Sequence, residues 1–214
     1  MWKTSKKGTK MFDINSSILK LSIEDAKMEI NKLIDLGYTG VILTFEVLVD
    51  GKFEMTEQLE KFNILKDSCE NIKLYLGNEI NYHYTIIHRI KNNDLLTLNK
   101  SNYVLIKLPK DKKPELFKAM INSLRDYRII LSNIDDYKYL SYKDLLEMKN
   151  CGILFTSRIS HLKKGKVNKL LKNNLLDYAV TYDNICELPT KSQKLFTNDV
   201  KNKIFINNYK EIIN

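Results

Sequence analysis

The sequence predicts an α/β fold, and three observations predict it. Short apolar runs rich in β-branched residues recur seven times along the 214 residues, at lengths that suit strands buried on both faces. Between them lie stretches with apolar residues at helical spacing. Cap residues and glycines punctuate the boundaries, with no shift in composition between one part of the chain and another. Such an alternation builds a parallel sheet, either closed as a barrel or open and doubly wound. In both architectures ligand sites gather at the C-terminal ends of the strands.

The elements follow in order. The first strand is placed at Lys10–Ile14. Ser22 with Asp25 three residues on has the form of a capping box, after which Ile23, Ala26, Ile30, Leu33 and Ile34 line one helical face and Gly37 stops it. The second and third strands are Gly40–Thr44 and Ile72–Leu76. The segment after Glu79 reads as helical and carries His83 and His88, so that Glu79 and His83, four apart, would share a face. The fourth strand, Tyr103–Lys107, leads to a helix over Pro114–Tyr127 with the proline in its first turn. The fifth strand is Arg128–Ser132. Ser141 and Asp144 repeat the capping box ahead of Leu145, Leu146 and Met148, and Gly152 opens the sixth strand, Gly152–Thr156. A helix near Val167–Leu171 precedes the seventh strand, Asp177–Thr181.

Composition narrows the function classes. At 43% hydrophobic content the chain can bury one full core, and seven glycines with three prolines leave no flexible linker. No apolar stretch approaches the ~18 residues of a membrane span, and the basic Met1–Lys7 lacks the apolar core of a secretory signal. Cys69, Cys151 and Cys186 are far apart and outside any Cys-x-x-Cys pattern, which fits reduced, buried thiols in a cytoplasmic protein. The net charge of +9 comes from lysines scattered among asparagines and isoleucines, without a recognition module or a basic stripe interleaved with aromatics, which argues against a nucleic-acid partner.

The predicted strand ends carry Asn15 and Ser17; Phe45 and Glu46; Gly77, Asn78 and Glu79; Asn133, Asp135 and Asp136; Ser157, Arg158, Ser160 and His161; and Tyr182, Asp183 and Asn184. This inventory is carboxylates and amides with a single histidine, whereas a multinuclear catalytic metal centre gathers several imidazoles and carboxylates on one point. Nucleophile elbow, Walker loop, dinucleotide fingerprint and Cys-x5-Arg loop are all absent. Ser157 and Ser160 near His161 read as loop hydroxyls with local hydrogen bonds rather than as nucleophiles. Arg158, His161, Lys163 and Lys164 form a basic run that either binds phosphate through charge-assisted hydrogen bonds or is a solvated loop.

Gly77-Asn78-Glu79-Ile80, followed by Leu95-Leu96-Thr97-Leu98-Asn99-Lys100-Ser101-Asn102-Tyr103, with Gly51-Lys52-Phe53-Glu54 and Phe205-Ile206-Asn207-Asn208, resembles the PHP (polymerase and histidinol phosphatase) superfamily. Within it the chain is most similar to the metal-dependent tyrosine-protein phosphatases of bacterial capsule and exopolysaccharide loci. The resemblance implies a distorted TIM-like (β/α)7 barrel over residues 11–214, with residues 1–10 an N-terminal extension. It also implies three divalent cations, commonly manganese, whose bound hydroxide would attack phosphotyrosine. Carried over residue by residue, the family's ligands fare poorly. The opening His-x-His falls on Asn15 and Ser17, and a later histidine falls on Glu46 with its neighbouring arginine on Val47 or Leu48. Another histidine falls on Asn133, the closing Asp-x-His on Tyr182 and Asn184, and an arginine around Glu187-Leu188-Pro189. Glu79 is retained.

Amides and hydroxyls do not match imidazole as donors. The resemblance therefore implies a pseudophosphatase that binds no cofactor, with a tyrosine-phosphorylated kinase or polysaccharide co-polymerase as the expected partner. The alternative expectation is an active phosphoesterase holding a single Mg²⁺ or Mn²⁺ on Glu46, Glu79, Asp135 and Asp183. Tyr182 and Phe45 have the bulk to fill the former pocket.

Overall fold

In a computed structural model the chain forms a seven-stranded parallel sheet in the strand order β1 to β7, each strand beside its sequence neighbour. Residues 11–48, 55–163, 165–182, 202–207 and 209–213 are described. The strands are β1 (Met11–Ser16), β2 (Tyr38–Val47), β3 (Lys73–Asn81), β4 (Tyr103–Lys107), β5 (Arg128–Leu131), β6 (Leu154–Arg158) and β7 (Tyr178–Val180). Between them run α1 (Ile23–Asp35), α2 (Met55–Ser68), α3 (Ile86–Lys91), α4 (Phe117–Ser123), α5 (Tyr142–Asn150) and α6 (Gly165–Lys172), and α7 (Lys210–Ile213) follows near the C-terminus.

The choice between open sheet and barrel is decided where the first and last strands meet. Ser16 bridges Tyr182 in parallel, Tyr182 N donates to Asn15 O at 3.2 Å and Ser17 N to Tyr182 O at 3.3 Å. Asp13 adds side-chain stitches by accepting the Thr181 backbone N–H at 2.9 Å and the Thr181 hydroxyl. Closure removes both sheet edges, which would otherwise leave rows of unpaired backbone groups.

Strand alternation then sorts side chains into two cores. Val41, Leu43, Phe45 and Val47 of β2 face outward, into the layer between strands and helices that holds Ala26, Ile30, Leu33, Phe155 and Leu170. Phe45 therefore belongs to that outer core and does not fill the site. Phe12, Ile14, Ile42, Tyr103, Leu105, Ile130, Tyr178 and Tyr182 point inward and are capped at the bottom by Tyr209 and Ile212. Phe12 stacks on Tyr209 with centroids 4.3 Å apart, and the Glu211 carboxylate of α7 takes hydrogen bonds from Tyr103 and Arg128.

The helix punctuation works as written in the sequence. Ser22 accepts the Asp25 N–H at 3.1 Å, Ser141 and Asp144 form a reciprocal capping box, and Gly37 takes the left-handed φ of +91° just past α1.

Three expectations are corrected. The helix expected over Pro114–Tyr127 shrinks to Phe117–Ser123, because Leu116 stands at its N-cap and supplies no side-chain acceptor. The segment after Glu79 is helical only from Ile86 to Lys91, so that His88 lies in α3 and His83 does not. β2 and β3 stay in register from Gly40↔Lys73 to Val47↔Ile80, so the ladder carries β3 through Asn81, and His83 falls in a loop where its Nδ1 lies 2.8 Å from Thr85 Oγ1. Glu79 and His83 thus share no helical face. Cys151 is exposed and Cys69 half-buried, against the expectation of buried thiols. Residues 1–10, Gly51–Glu54, Lys164, Asp183, Asn184, Cys186 and Glu187–Pro189 lie outside the described residues.

Candidate functional site at the strand ends

Glu79 is the centre of the site. It is 2% exposed, and its carboxylate takes three hydrogen bonds beside one ammonium. Asn15 Nδ2 reaches Oε1 at 3.2 Å, the Ser132 hydroxyl donates to the same oxygen, Tyr182 donates to Oε2 at 2.9 Å, and the Lys107 ammonium lies 3.6 Å from Oε2. Asn15 is itself held in orientation, since its Oδ1 accepts from Thr44 Oγ1 at 2.6 Å and its amide donates to Ser132 Oγ at 3.1 Å. A register shift in β1 between Asp13 and Ser16 aims Asn15 at this network.

Glu46 faces Glu79 across the β2–β3 ladder. Two carboxylates side by side repel, and Lys107 separates them: its Nζ is 3.0 Å from Glu46 Oε1 and donates to Tyr182 Oη at 3.1 Å. Burial alone would raise the Glu46 carboxyl. The Asn81 amide at 2.9 Å, the Lys107 ammonium and the more distant Lys20 outweigh it and hold the group below its ordinary range.

Tyr182 occupies the middle of the mouth at 5% exposure, with a left-handed φ of +55°. Its ring lies 5.1 Å from the Arg158 guanidinium and 5.8 Å from both Lys20 and Lys107, an aromatic face among three cations. Ser17 donates its hydroxyl to the Tyr182 carbonyl at 3.1 Å, so it is spent on closing the barrel. Asn133 is buried with a left-handed φ of +47°, and neither atom of its amide group has a hydrogen-bond partner among the described residues.

Below the mouth, the buried Asp13 carboxyl is pushed up to about 6 by burial, which outweighs the hydrogen bonds from Thr181 and Asn15.

Arg158 and His161 stand apart from Glu79. Arg158 forks onto Asp135 Oδ2 and Asp136 Oδ1 at 2.7 Å each and Asp136 Oδ2 at 2.8 Å. Burial works against the guanidinium, but the two carboxylates raise its pKa further and depress that of Asp136. His161 Nδ1 lies 2.5 Å from Asp135 Oδ2, and Ser157 donates to Asp135 Oδ1 at 2.9 Å. Ser157 thus bonds Asp135 and not His161, which is no nucleophile–base pair. Asp135, its oxygens taken by Ser157, Arg158 and His161, is not a partner of Glu46 or Glu79. Lys163 is exposed.

A cluster of divalent cations does not fit these residues. Glu79 already takes hydrogen bonds on both oxygens, an ammonium lies between the two facing carboxylates, and the other side chains at the centre are an amide, two hydroxyls and a phenol. Among the described residues no three His, Cys, Asp or Glu side chains are arranged so that they could hold a metal ion. Imidazole and carboxylate donors are what such a cluster requires.

Sequence reasoning missed Lys107, Lys20, Thr44, Asn81 and Ser132. Lys107 was findable: it ends the predicted fourth strand two residues beyond Leu105, so alternation puts both inside the barrel.

The family model for capsular polysaccharide synthesis, CpsB/CapC, matches residues 44–214. The chain is 28% identical over 219 residues to the Staphylococcus aureus protein "Putative tyrosine-protein phosphatase CapC", covering 91% of this chain and 85% of that one. Among solved structures it is similar to a chain from the crystal structures of YwqE from Bacillus subtilis and CpsB from Streptococcus pneumoniae, described as unique metal-dependent tyrosine phosphatases. That match has a TM-score of 0.76 at 18% identity, over 90% of this chain and 87% of that chain. An inactive dihydroorotase-like domain from Chaetomium thermophilum also shares the fold, with a TM-score of 0.58 at 12% identity over 95% of this chain and 78% of that chain. With its model match spanning most of the sequence, the chain belongs to the CpsB/CapC capsular polysaccharide synthesis family.

Proposed function

We propose that this family member is a pseudophosphatase: a barrel that keeps the phosphatase shape, has exchanged its metal site for an internal ion-pair network, and acts by binding in capsule or exopolysaccharide assembly. The observation that carries the reading is Lys107, whose ammonium lies 3.0 Å from Glu46 and 3.6 Å from Glu79, between the carboxylates that would draw a cation. Tyr182 supports it by occupying the space in front of them. The family implies the partner class, a tyrosine-phosphorylated kinase or polysaccharide co-polymerase tail. Residues 11–214 would form one cytoplasmic barrel domain, with residues 1–10 an extension.

Phosphate capture by Arg158 and His161 is not favoured, because a phosphate would have to displace Asp135 and Asp136 from them. A second reading rests on the face-to-face placement of Glu46 and Glu79, which could take one Mg²⁺ or Mn²⁺ if Lys107 swung away.

Hydrolysis of a tyrosine-phosphorylated peptide in the presence of Mn²⁺ separates these readings. The pseudophosphatase reading predicts a rate no higher than that of a Glu79→Gln variant. Turnover in the parent that disappears in Glu79→Gln would overturn it.

A further inference from the structure

At the opposite end of the barrel from Glu79 lies a cleft of about 700 Å³, between α2, the start of β3 and the Leu98–Lys100 turn. Its floor is apolar, with Phe62, Ile72 and Leu74 buried there. Its rim is basic: Lys66, Lys73 and Lys100 are all exposed, and no carboxylate is among the lining residues. None of the three ammonium groups is in an ion pair among the described residues, and Lys66 lies 5.9 Å from the centre of the Phe62 ring in the floor.

The turn that presents Lys100 is built at a conformational cost. Asn99 and Lys100 both take left-handed φ, at 52° and 58°, whereas among the described residues left-handed positions otherwise occur singly. The turn is pinned from both sides: Ser101 donates to Leu98 O at 2.6 Å and Asn99 to Ile212 O at 3.3 Å. Gly77 makes room for it, since a Cβ there would lie 2.7 Å from Leu98 Cδ2. Lys100 is therefore held in place over the cleft by its own backbone.

We propose that this cleft is a docking groove for an acidic polypeptide segment bearing apolar side chains. An apolar floor with an exposed charged rim is the anatomy of a protein interface. A small-molecule pocket instead carries a few convergent polar groups within an enclosed cavity. Three unneutralised ammonium groups set the complementary charge, and with it partner choice and association rate. The proposal is independent of the chemistry at Glu79, because it uses neither that face nor its residues.

The test is fluorescence anisotropy with a labelled Glu/Tyr copolymer peptide. It is run on the full chain, on a Lys66→Glu/Lys73→Glu/Lys100→Glu variant, and on a Lys112→Glu/Lys118→Glu/Lys172→Glu variant with the same net charge. Both substituted sets lie at exposed positions, and matched melting curves check their folding. Binding by the parent should fall by about tenfold or more in the cleft variant while the charge-matched control keeps most of its affinity. Equal loss in both variants would reduce the effect to overall charge and overturn the groove. Failure of the peptide to bind the parent would overturn the groove, and binding of inorganic pyrophosphate in its place, lost in the cleft variant, would make it a small-anion site.

Discussion

A buried carboxylate needs a positive partner or a proton, and at Glu79 the partner is Lys107. Removing one half of a buried ion pair leaves the other uncompensated. Lys107→Met is therefore expected to cost about 3 kcal/mol of folding free energy at neutral pH. Adding Glu79→Gln to that variant should restore part of the loss, because the two changes are coupled through one contact. Denaturant melts of the two single variants and the double variant measure the coupling, and additive effects would mean that Lys107 and Glu79 do not act as a pair. At this scale the sequence was half legible. Asn15, Glu46, Glu79 and Tyr182 were found at the strand ends, because they follow recognisable strands. What they do there was not legible. Asn15 works by donating to Glu79, Ser17 by donating to the Tyr182 carbonyl, and Arg158 by gripping Asp135 and Asp136, all of which depend on partners more than twenty residues away.

At the scale of elements, close approach of β1 and β2 hangs on one missing side chain. A Cβ at Gly40 would lie 2.2 Å from Phe12 Cε2, and the Phe12 ring cannot retreat because Tyr209 stacks on it at 4.3 Å with an interplanar angle of 8°. Gly40→Ala should thus destabilise by about 2 to 3 kcal/mol through overpacking, read as a lower denaturation midpoint with an unchanged m-value. A neutral substitution would mean that the interior at this end is loosely packed. Strand positions were legible because buried parallel strands are continuous apolar runs, and the caps at Ser22 and Ser141 were legible because their partners lie three residues on. Boundaries decided by pairing were not. The extension of β3 through Asn81, which moved His83 off any helical face, comes from the ladder with β2 and has no local signal.

For the whole molecule, the sequence left an open sheet and a closed barrel equally consistent with its alternation, and family resemblance chose the barrel. The physical reason for closure is a set of contacts between residues near 13–17 and 181–182, which no local pattern encodes. The closed barrel converges seven strand ends on one mouth, and there the chain has placed an ammonium, a phenol and an amide around its central carboxylate. That is a self-compensated centre, in which charge is balanced by the protein's own side chains.

Metal content tests this most directly. The protein is incubated with excess Mn²⁺, desalted, and assayed by elemental mass spectrometry beside Glu79→Gln. A self-compensated centre predicts substoichiometric manganese, equal in the two proteins. Retention of about one or more ions per chain that is lost in Glu79→Gln would contradict it and return the barrel to metal chemistry.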